Sequence, residues 1–215
     1  TLADAIDIKI DTHGARSELS LSQDDPVVAL LPGSREGEVA KLGQLFLESA
    51  QAIKYSKPDV QFVLPAANDD RYSQLSDLLE QFPDLNVKLL HGQSREAMAS
   101  ADVVLMASGT AALEGMLLKK PLVVSYKLSA LTAYLVRKML KQPFVSLPNL
   151  LAGKELVPEL LQEDATQEKL SQAVLHYLND QSALQGLQAE FTQLHKSLRL
   201  NADQAAANAI SELIH

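Results

Sequence analysis

The stretch DVVLMASGTAALEGMLLKKPLVVSY, residues 102–126, decides the fold. An apolar run from Val103 to Met106 stops at three small residues, Ser108, Gly109 and Thr110. Apolar positions then return at helical spacing, with one acid, Glu114, among them, and a second apolar run follows Pro121. Short, near-continuous apolar runs bounded by turn residues are what strands look like when both sheet faces are covered. Strand, helix and strand in this order make a parallel pair joined by a right-handed crossover.

The same alternation extends outward from this unit. Strands are expected at 27–32, 60–66, 87–92, 102–108 and 121–126, with a weaker one at 144–149. Helices are expected near 36–56, 69–81, 93–99, 110–118 and 129–141. Beyond Pro158, a residue suited to the first turn of a helix, the chain reads as helical and polar over 158–163, 166–179, 181–198 and 202–214. Residues 1–25 have mixed polarity and no strong period, which suggests a connecting segment with a short helix near Ala15–Leu21. The expected fold class is α/β: a doubly wound, mostly parallel sheet, Rossmann-like, with appended C-terminal helices.

Composition narrows the function. The chain has 215 residues, 47% of them hydrophobic, 21% charged, and no cysteine. That length supports a substantial core, and the missing thiols exclude disulfides and thiolate metal sites and fit a cytoplasmic location. No apolar stretch is long enough to span a membrane, and the first twenty residues lack a charged-then-apolar signal pattern. A net charge of −8 argues against a general nucleic-acid binder. The charge is uneven, however: Lys119, Lys120, Lys127, Arg137, Lys138 and Lys141 fall in one stretch without an acid. Such an island suits either an anionic partner or a solvated helix face.

In a sheet of order 3-2-1-4-5-6, ligands bind outside the carboxyl ends of strands one and four, where the crossovers diverge. The turn after strand one reads Pro32-Gly33-Ser34-Arg35 and the turn after strand four reads Ser108-Gly109-Thr110. Glycine and serine let an anion approach backbone N–H groups, and a helix start adds partial positive charge. Ser108 and Thr110 can donate hydroxyl hydrogen bonds to phosphate, or they can simply cap the next helix. Glu114, one turn beyond Thr110, can accept from ribose hydroxyls; on so apolar a helix a carboxylate needs some partner. Arg35 can pair with a phosphate through two N–H groups, although Glu36 and Glu38 beside it also fit a plain surface arginine.

Other chemistries find no pattern. There is no GxxxxGK[ST], and no GxGxxG follows the first strand. His13, His91, His176, His195 and His215 show no metal-ligand spacing, and Asn68-Asp69-Asp70 reads as a solvated turn. The residues by themselves reach a nucleotide- or phosphate-binding domain.

Three motifs in order, LLPGSREGEV (30–39), SGTAALEGMLLKKPLVVSYK (108–127) and VSLPNLLAGKELVPELLQ (145–162), resemble the lipid-A-disaccharide synthase family. TLADAI (1–6) and RLNADQAAANAI (199–210) resemble further family segments, so the likeness runs along essentially the whole chain. It covers only the carboxyl half of such a glycosyltransferase, whose GT-B fold has two Rossmann-like domains facing a cleft. The resemblance implies a donor, UDP-2,3-diacylglucosamine, and an acceptor, 2,3-diacylglucosamine 1-phosphate (lipid X). The product is a β-1,6-linked disaccharide 1-phosphate, formed with inversion in a single displacement, without a metal or cofactor. It further implies functional roles for Arg35 and Asn149, and a UDP site made of Gly33, Ser34, Arg35, Ser108, Gly109, Thr110, Glu114 and Asn149, with Glu159 and Gln162 facing the cleft. Residues 1–25 become an interdomain connection, 26–163 the UDP-sugar donor-binding domain, and 164–215 helices packing on, or crossing to, a partner domain or a second subunit. The missing amino-terminal domain would hold the acceptor and the catalytic base. Residues 127–144, apolar and basic, could touch anionic headgroups at the cytoplasmic face of the inner membrane, or pack on the sheet. Two alternatives remain open at this point: a UDP-GlcNAc-type epimerase domain and a non-catalytic nucleotide-binding module.

Overall fold

The apolar runs at the centre of the sheet become strands because they can be buried from both sides. The computed structural model describes residues 1–127 and 144–199. The expected helices over 129–141 and 202–214, and nearly all of the basic apolar segment 127–144, lie outside the described residues. In chain order the elements are α1 (Leu2–Ala5), α2 (Thr12–Glu18), β1 (Val27–Leu31), α3 (Glu36–Ser56), β2 (Gln61–Ala66), α4 (Asp69–Leu79), β3 (Val87–His91) and α5 (Ser94–Ser100). They continue with β4 (Val103–Ala107), α6 (Ala111–Leu117), β5 (Leu122–Tyr126), α7 (Leu147–Ala152), β6 (Glu159–Leu161), a 3-10 turn (Gln162–Asp164), α8 (Gln167–Asn179) and α9 (Gln181–Leu198).

The sheet order is β3-β2-β1-β4-β5-β6, and every ladder is parallel. This is the doubly wound order expected from the sequence. β1 and β4 are central and buried along their whole length. Helix contacts sort into two layers, α3 with α4 and α8 on one, and α2, α5, α6 and α9 on the other. The core between them includes Phe46, Phe62, Leu30, Leu64, Leu105 and Met106; each such fully buried side chain contributes about 1.5–3 kcal/mol.

Two expectations about the last strand are corrected. No strand forms over 144–149: Pro148 sits in the first turn of α7, where its preset φ favours a helix. The sixth strand is instead Glu159–Leu161, inside the stretch read as a helix over 158–163. Pro158 does not begin a helix; its carbonyl accepts from the Val124 N–H at 3.0 Å as β6 adds to the free edge of β5. Three residues are too few to show a period, so only the open edge of β5 could specify this strand. The short helix expected near Ala15–Leu21 begins earlier, at Thr12, because the Asp11 carboxylate accepts from the Gly14 N–H at 2.9 Å and caps it.

The basic island also needs correcting in its described part. Lys119 and Lys120 are buried, 8% and 7% exposed. The Lys119 ammonium donates to the Asp7 carbonyl at 3.1 Å and lies 2.6 Å from His195 Nδ1. Lys120 donates to Thr12 Oγ1 at 2.8 Å and to the Ala101 carbonyl at 2.9 Å. Arg16, likewise buried, bonds the Ser100 carbonyl and pairs with Asp102 at 2.7 Å. These cations fasten residues 1–25 and the end of α9 to the body of the sheet rather than facing a partner.

Burial makes their charge costly. Lys119 is pushed down to about 8 by burial and by Arg199, against the pull of Asp7. Lys120 is pushed down to about 8 by burial, with Asp102 opposing and Arg16 adding to the shift. Between that value and the ordinary lysine value the unfolded chain binds more protons, so these groups make stability rise with pH across that window. Their contribution is lowest below about pH 8. Urea denaturation is expected to give a later midpoint at about pH 9.5 than at about pH 8, and Lys120→Met should flatten that rise. Equal slopes in the two proteins would contradict this assignment. Tyr177, raised to about 12 by burial and by Glu155, acts in the opposite sense only above the ordinary tyrosine range.

Candidate functional site

Because all strands run the same way, their carboxyl ends lie along one edge. Leu31 of β1 is level with Met106 of β4, so the corners that follow, Gly33-Ser34-Arg35 and Ser108-Gly109-Thr110, emerge side by side. Neighbouring parallel strands are about 4.8 Å apart. The helices that follow, α3 and α6, leave on opposite layers. The two small-residue corners therefore flank the point where the crossovers diverge, which is where sheets of this order generally bind ligands.

The first corner is built around Gly33, whose φ of +125° lies in the region that favours glycine. A Cβ there would come within 2.5 Å of Glu38. Glu38 stands in the first turn of α3 and reaches back over the corner. Its Oε2 accepts from the N–H groups of Ser34 and Arg35 at 3.0 and 3.2 Å. Its Oε1 accepts from Arg35 Nη1 at 2.9 Å. The amide donors expected for phosphate are therefore held by a carboxylate of the chain itself. The Arg35 side chain is 81% exposed and Glu38 is 17% exposed, so most of the guanidinium is open to solvent.

The second corner is more open. A Cβ on Gly109 would meet nothing within 4 Å. Thr110 stands at the N-cap of α6 without a side-chain hydrogen bond to the helix, so capping is not its task. The Ser108 N–H donates to the Ser125 carbonyl at 2.9 Å and keeps the corner on the sheet. Glu114, 17% exposed, does have the partner its apolar surroundings demand: its Oε1 accepts from Arg95 Nε at 2.6 Å. Arg95 opens α5 at the same carboxyl edge. Sequence reasoning missed it, and its place just after the third strand was the available signal.

Asn149 and Glu159 occupy different ground. Asn149 is 0% exposed and uses its whole amide group. Its Oδ1 accepts from Leu156 N–H at 2.7 Å and Val157 N–H at 3.0 Å. Its Nδ2 donates to the Val157 carbonyl at 2.9 Å and to Glu159 Oε1 at 2.8 Å. Glu159 also accepts from the backbone N–H groups of Val145 and Ser146, both at 2.9 Å, and from the Ser146 hydroxyl at 2.7 Å. The resemblance implies a UDP contact for Asn149 and a cleft position for Glu159; in this structure Asn149 is enclosed and Glu159 is half-buried, with both carboxylate oxygens bonded within the chain. The pair staples α7 and its loop to the start of β6. Gln162, by contrast, follows the carboxyl end of β6 on the ligand edge, with a φ of +52° that is uncommon for a side-chain-bearing residue.

The structure thus brings together Gly33, Ser34, Arg35, Ser108, Gly109, Thr110 and Glu114, with Gln162 on the same edge. A cavity of about 460 Å³ lies away from these corners, between residues 155–158 and α8, and another of about 470 Å³ lies between the first eighteen residues and α5 and reaches Arg95. Among the described residues, no cluster of three His, Asp or Glu side chains is placed to hold a metal ion, and no helix is long and apolar enough to cross a membrane. Asn68 caps α4, its Oδ1 accepting from Arg71 N–H at 3.0 Å, which fits the solvated turn expected there.

Comparison with known proteins follows the same lines. The family model described as lipid-A-disaccharide synthetase matches residues 1–210. The lipid-A-disaccharide synthase of Saccharophagus degradans is 47% identical over 215 residues, covering 99% of this chain and 55% of that protein. That of Pseudomonas fluorescens is 49% identical over 215 residues, covering 100% of this chain and 56% of that protein. The chain therefore spans little more than half the length of these relatives. In three dimensions it is similar to WaaG, a glycosyltransferase involved in lipopolysaccharide biosynthesis, with a TM-score of 0.57 at 15% identity, over 86% of this chain and 46% of that one. At that identity the likeness speaks for the fold, that of GT-B glycosyltransferases.

Proposed function

The chain belongs to the lipid-A-disaccharide synthetase family, and from that premise we propose that it is the donor-binding half of a glycosyltransferase. The reaction is transfer of 2,3-diacylglucosamine from UDP-2,3-diacylglucosamine to lipid X, giving the β-1,6-linked disaccharide 1-phosphate and UDP. The observation that carries this reading is the pairing of β1 with β4, which sets the two glycine corners side by side at the crevice of a family member. A synthetase family also leaves the epimerase alternative without support.

In the proposed chemistry the acceptor 6-hydroxyl oxygen attacks the anomeric carbon from the face opposite the diphosphate. The bond from that carbon to the diphosphate oxygen breaks, its electron pair leaves with UDP, and the hydroxyl proton passes to a base in the amino-terminal half. Negative charge grows on the leaving diphosphate. Fixed donors aimed there lower the barrier most effectively. Arg35, with its guanidinium largely exposed, is the proposed catalytic donor; Ser108, Gly109 and Thr110 flank the diphosphate with it. The Glu114 oxygen not bonded to Arg95 accepts from the ribose. Asn149 and Glu159 act as positioning residues for the 145–157 segment, and Gln162 borders the cleft.

Residues 1–25 serve as the connection, 26–163 as the donor domain, and the later helices as its brace. Acylated substrates of this kind fit an enzyme working at the cytoplasmic face of the inner membrane.

Calorimetric titration tests the site directly. UDP is expected to bind the chain with modest affinity and uridine to give no saturating heat, since the two corners read the diphosphate. The chain alone should form no disaccharide, half of the cleft being elsewhere. Absence of UDP binding, or equal binding of uridine, would overturn the site.

A further inference from the structure

We propose that Glu38 is a resident anion in the first corner, a carboxylate that the nucleotide's diphosphate must displace to reach the Ser34 and Arg35 N–H groups. This deepens the donor-site reading and rests on it. The geometry is that of an occupied anion cradle. One carboxylate spans the Ser34 and Arg35 N–H groups and the Arg35 guanidinium, at 2.9–3.2 Å. It lies so close over Gly33 that even a methyl group there would collide with it. A phosphate oxygen carries the same sign of charge and accepts in the same way, so the two cannot share these donors.

Displacement is mechanically simple. Glu38 sits in the first turn of a 21-residue helix, and rotation about its side-chain bonds swings the carboxylate toward solvent without moving the backbone. Arg35 is tied by a single guanidinium bond while the remainder of its side chain is exposed. In the free chain, Glu38 holds the corner in shape and keeps Arg35 from folding away over the surface. On donor binding the diphosphate takes the amides and the guanidinium, and the carboxylate leaves. UDP, as product, meets the reverse competition, since the returning carboxylate favours its departure.

A helix cap and a resident anion differ in the sign of one measurement. Both roles make Glu38→Gln and Glu38→Ala less stable in urea, because bonds to the first turn are lost. Only the resident anion makes them bind UDP more tightly, by about three- to fivefold for an interaction of this exposure. The paired experiment is calorimetry with UDP, and 1H–15N shifts of the Ser34 and Arg35 amides during titration with inorganic pyrophosphate. Tighter UDP binding by both variants, with the two amides shifting at lower pyrophosphate concentration, supports the proposal. Unchanged or weaker UDP binding by both variants overturns it and leaves the donor site standing. If UDP binds none of the proteins while pyrophosphate still shifts the amides more readily in the variants, Glu38 stands as a resident anion and the donor-site reading fails. Pyrophosphate leaving both amides unmoved in every protein overturns the proposal.

Discussion

Arg35→Ala is expected to weaken UDP binding by at least about tenfold while leaving the stability of the chain nearly unchanged. Both halves follow from where the side chain lies. Its one ionic contact, Nη1 to Glu38 at 2.9 Å, involves a guanidinium that is 81% exposed, and pairs of that kind contribute about 0–1 kcal/mol. A guanidinium against a phosphate makes short, charge-assisted bonds, each contributing about 1.5–3 kcal/mol. Losing one of them corresponds to a factor of about ten to a hundred in affinity. Arg35→Lys keeps the charge but not the planar fork, so it should recover only part of the loss. Calorimetry and urea denaturation on the same preparations separate the two effects. A variant that unfolds earlier yet binds UDP normally would make Arg35 a local structural residue and remove it from the chemistry.

Asn149 should show the reverse pattern. Asn149→Ala leaves the buried Val157 N–H and the part-buried Leu156 N–H without their acceptor, and it takes a donor from Val157 and Glu159. Each buried polar group so stranded costs about 1–3 kcal/mol, so a loss of about 3 kcal/mol or more is expected in urea denaturation. Asn149→Asp is the sharper test, because it keeps the acceptor and changes only the donor. At neutral pH the new carboxylate would face Glu159 at the present 2.8 Å separation, and two like charges there should destabilise at least as much as alanine does. That repulsion raises the new carboxyl's affinity for protons in the folded state. Folded chains then bind more protons than unfolded ones above the ordinary carboxylate range, so the variant should regain stability as the pH falls toward that range. A stability like that of the unaltered chain for both variants, combined with lost UDP binding, would return Asn149 to the ligand.

The two residues were nearly equivalent as sequence. Each stands in a family-like motif, GSR or PNLLA, and the resemblance implies a substrate contact for each. What separates them is depth. Arg35 follows a turn at the exposed edge of the sheet, whereas Asn149 lies on the buried side of α7, enclosed by a loop that closes only when β6 docks on β5. The lysines show the same contrast. Lys119 and Lys120 look like the start of a basic face, but Asp7, Thr12, Ala101 and His195 come to them from distant parts of the chain.

The sequence by itself determined the alternation of five strands with their helices, the order of the sheet, and the two small-residue corners on one edge. These depend on hydrophobic period and turn chemistry, which neighbouring residues settle among themselves, and on the handedness of crossovers, which allows few arrangements. The tertiary structure alone decided that Glu38 fills the first corner, that Arg95 meets Glu114, that Asn149 is interior, and that β6 begins at Glu159. The Arg95–Glu114 pair and the docking of β6 rest on contacts between residues well separated in the chain, and Asn149 is enclosed by the nearby segment that β6 carries into place. Glu38 is close in sequence to its partners, and there the deciding factor was the left-handed turn at Gly33, which opens the space that its carboxylate occupies.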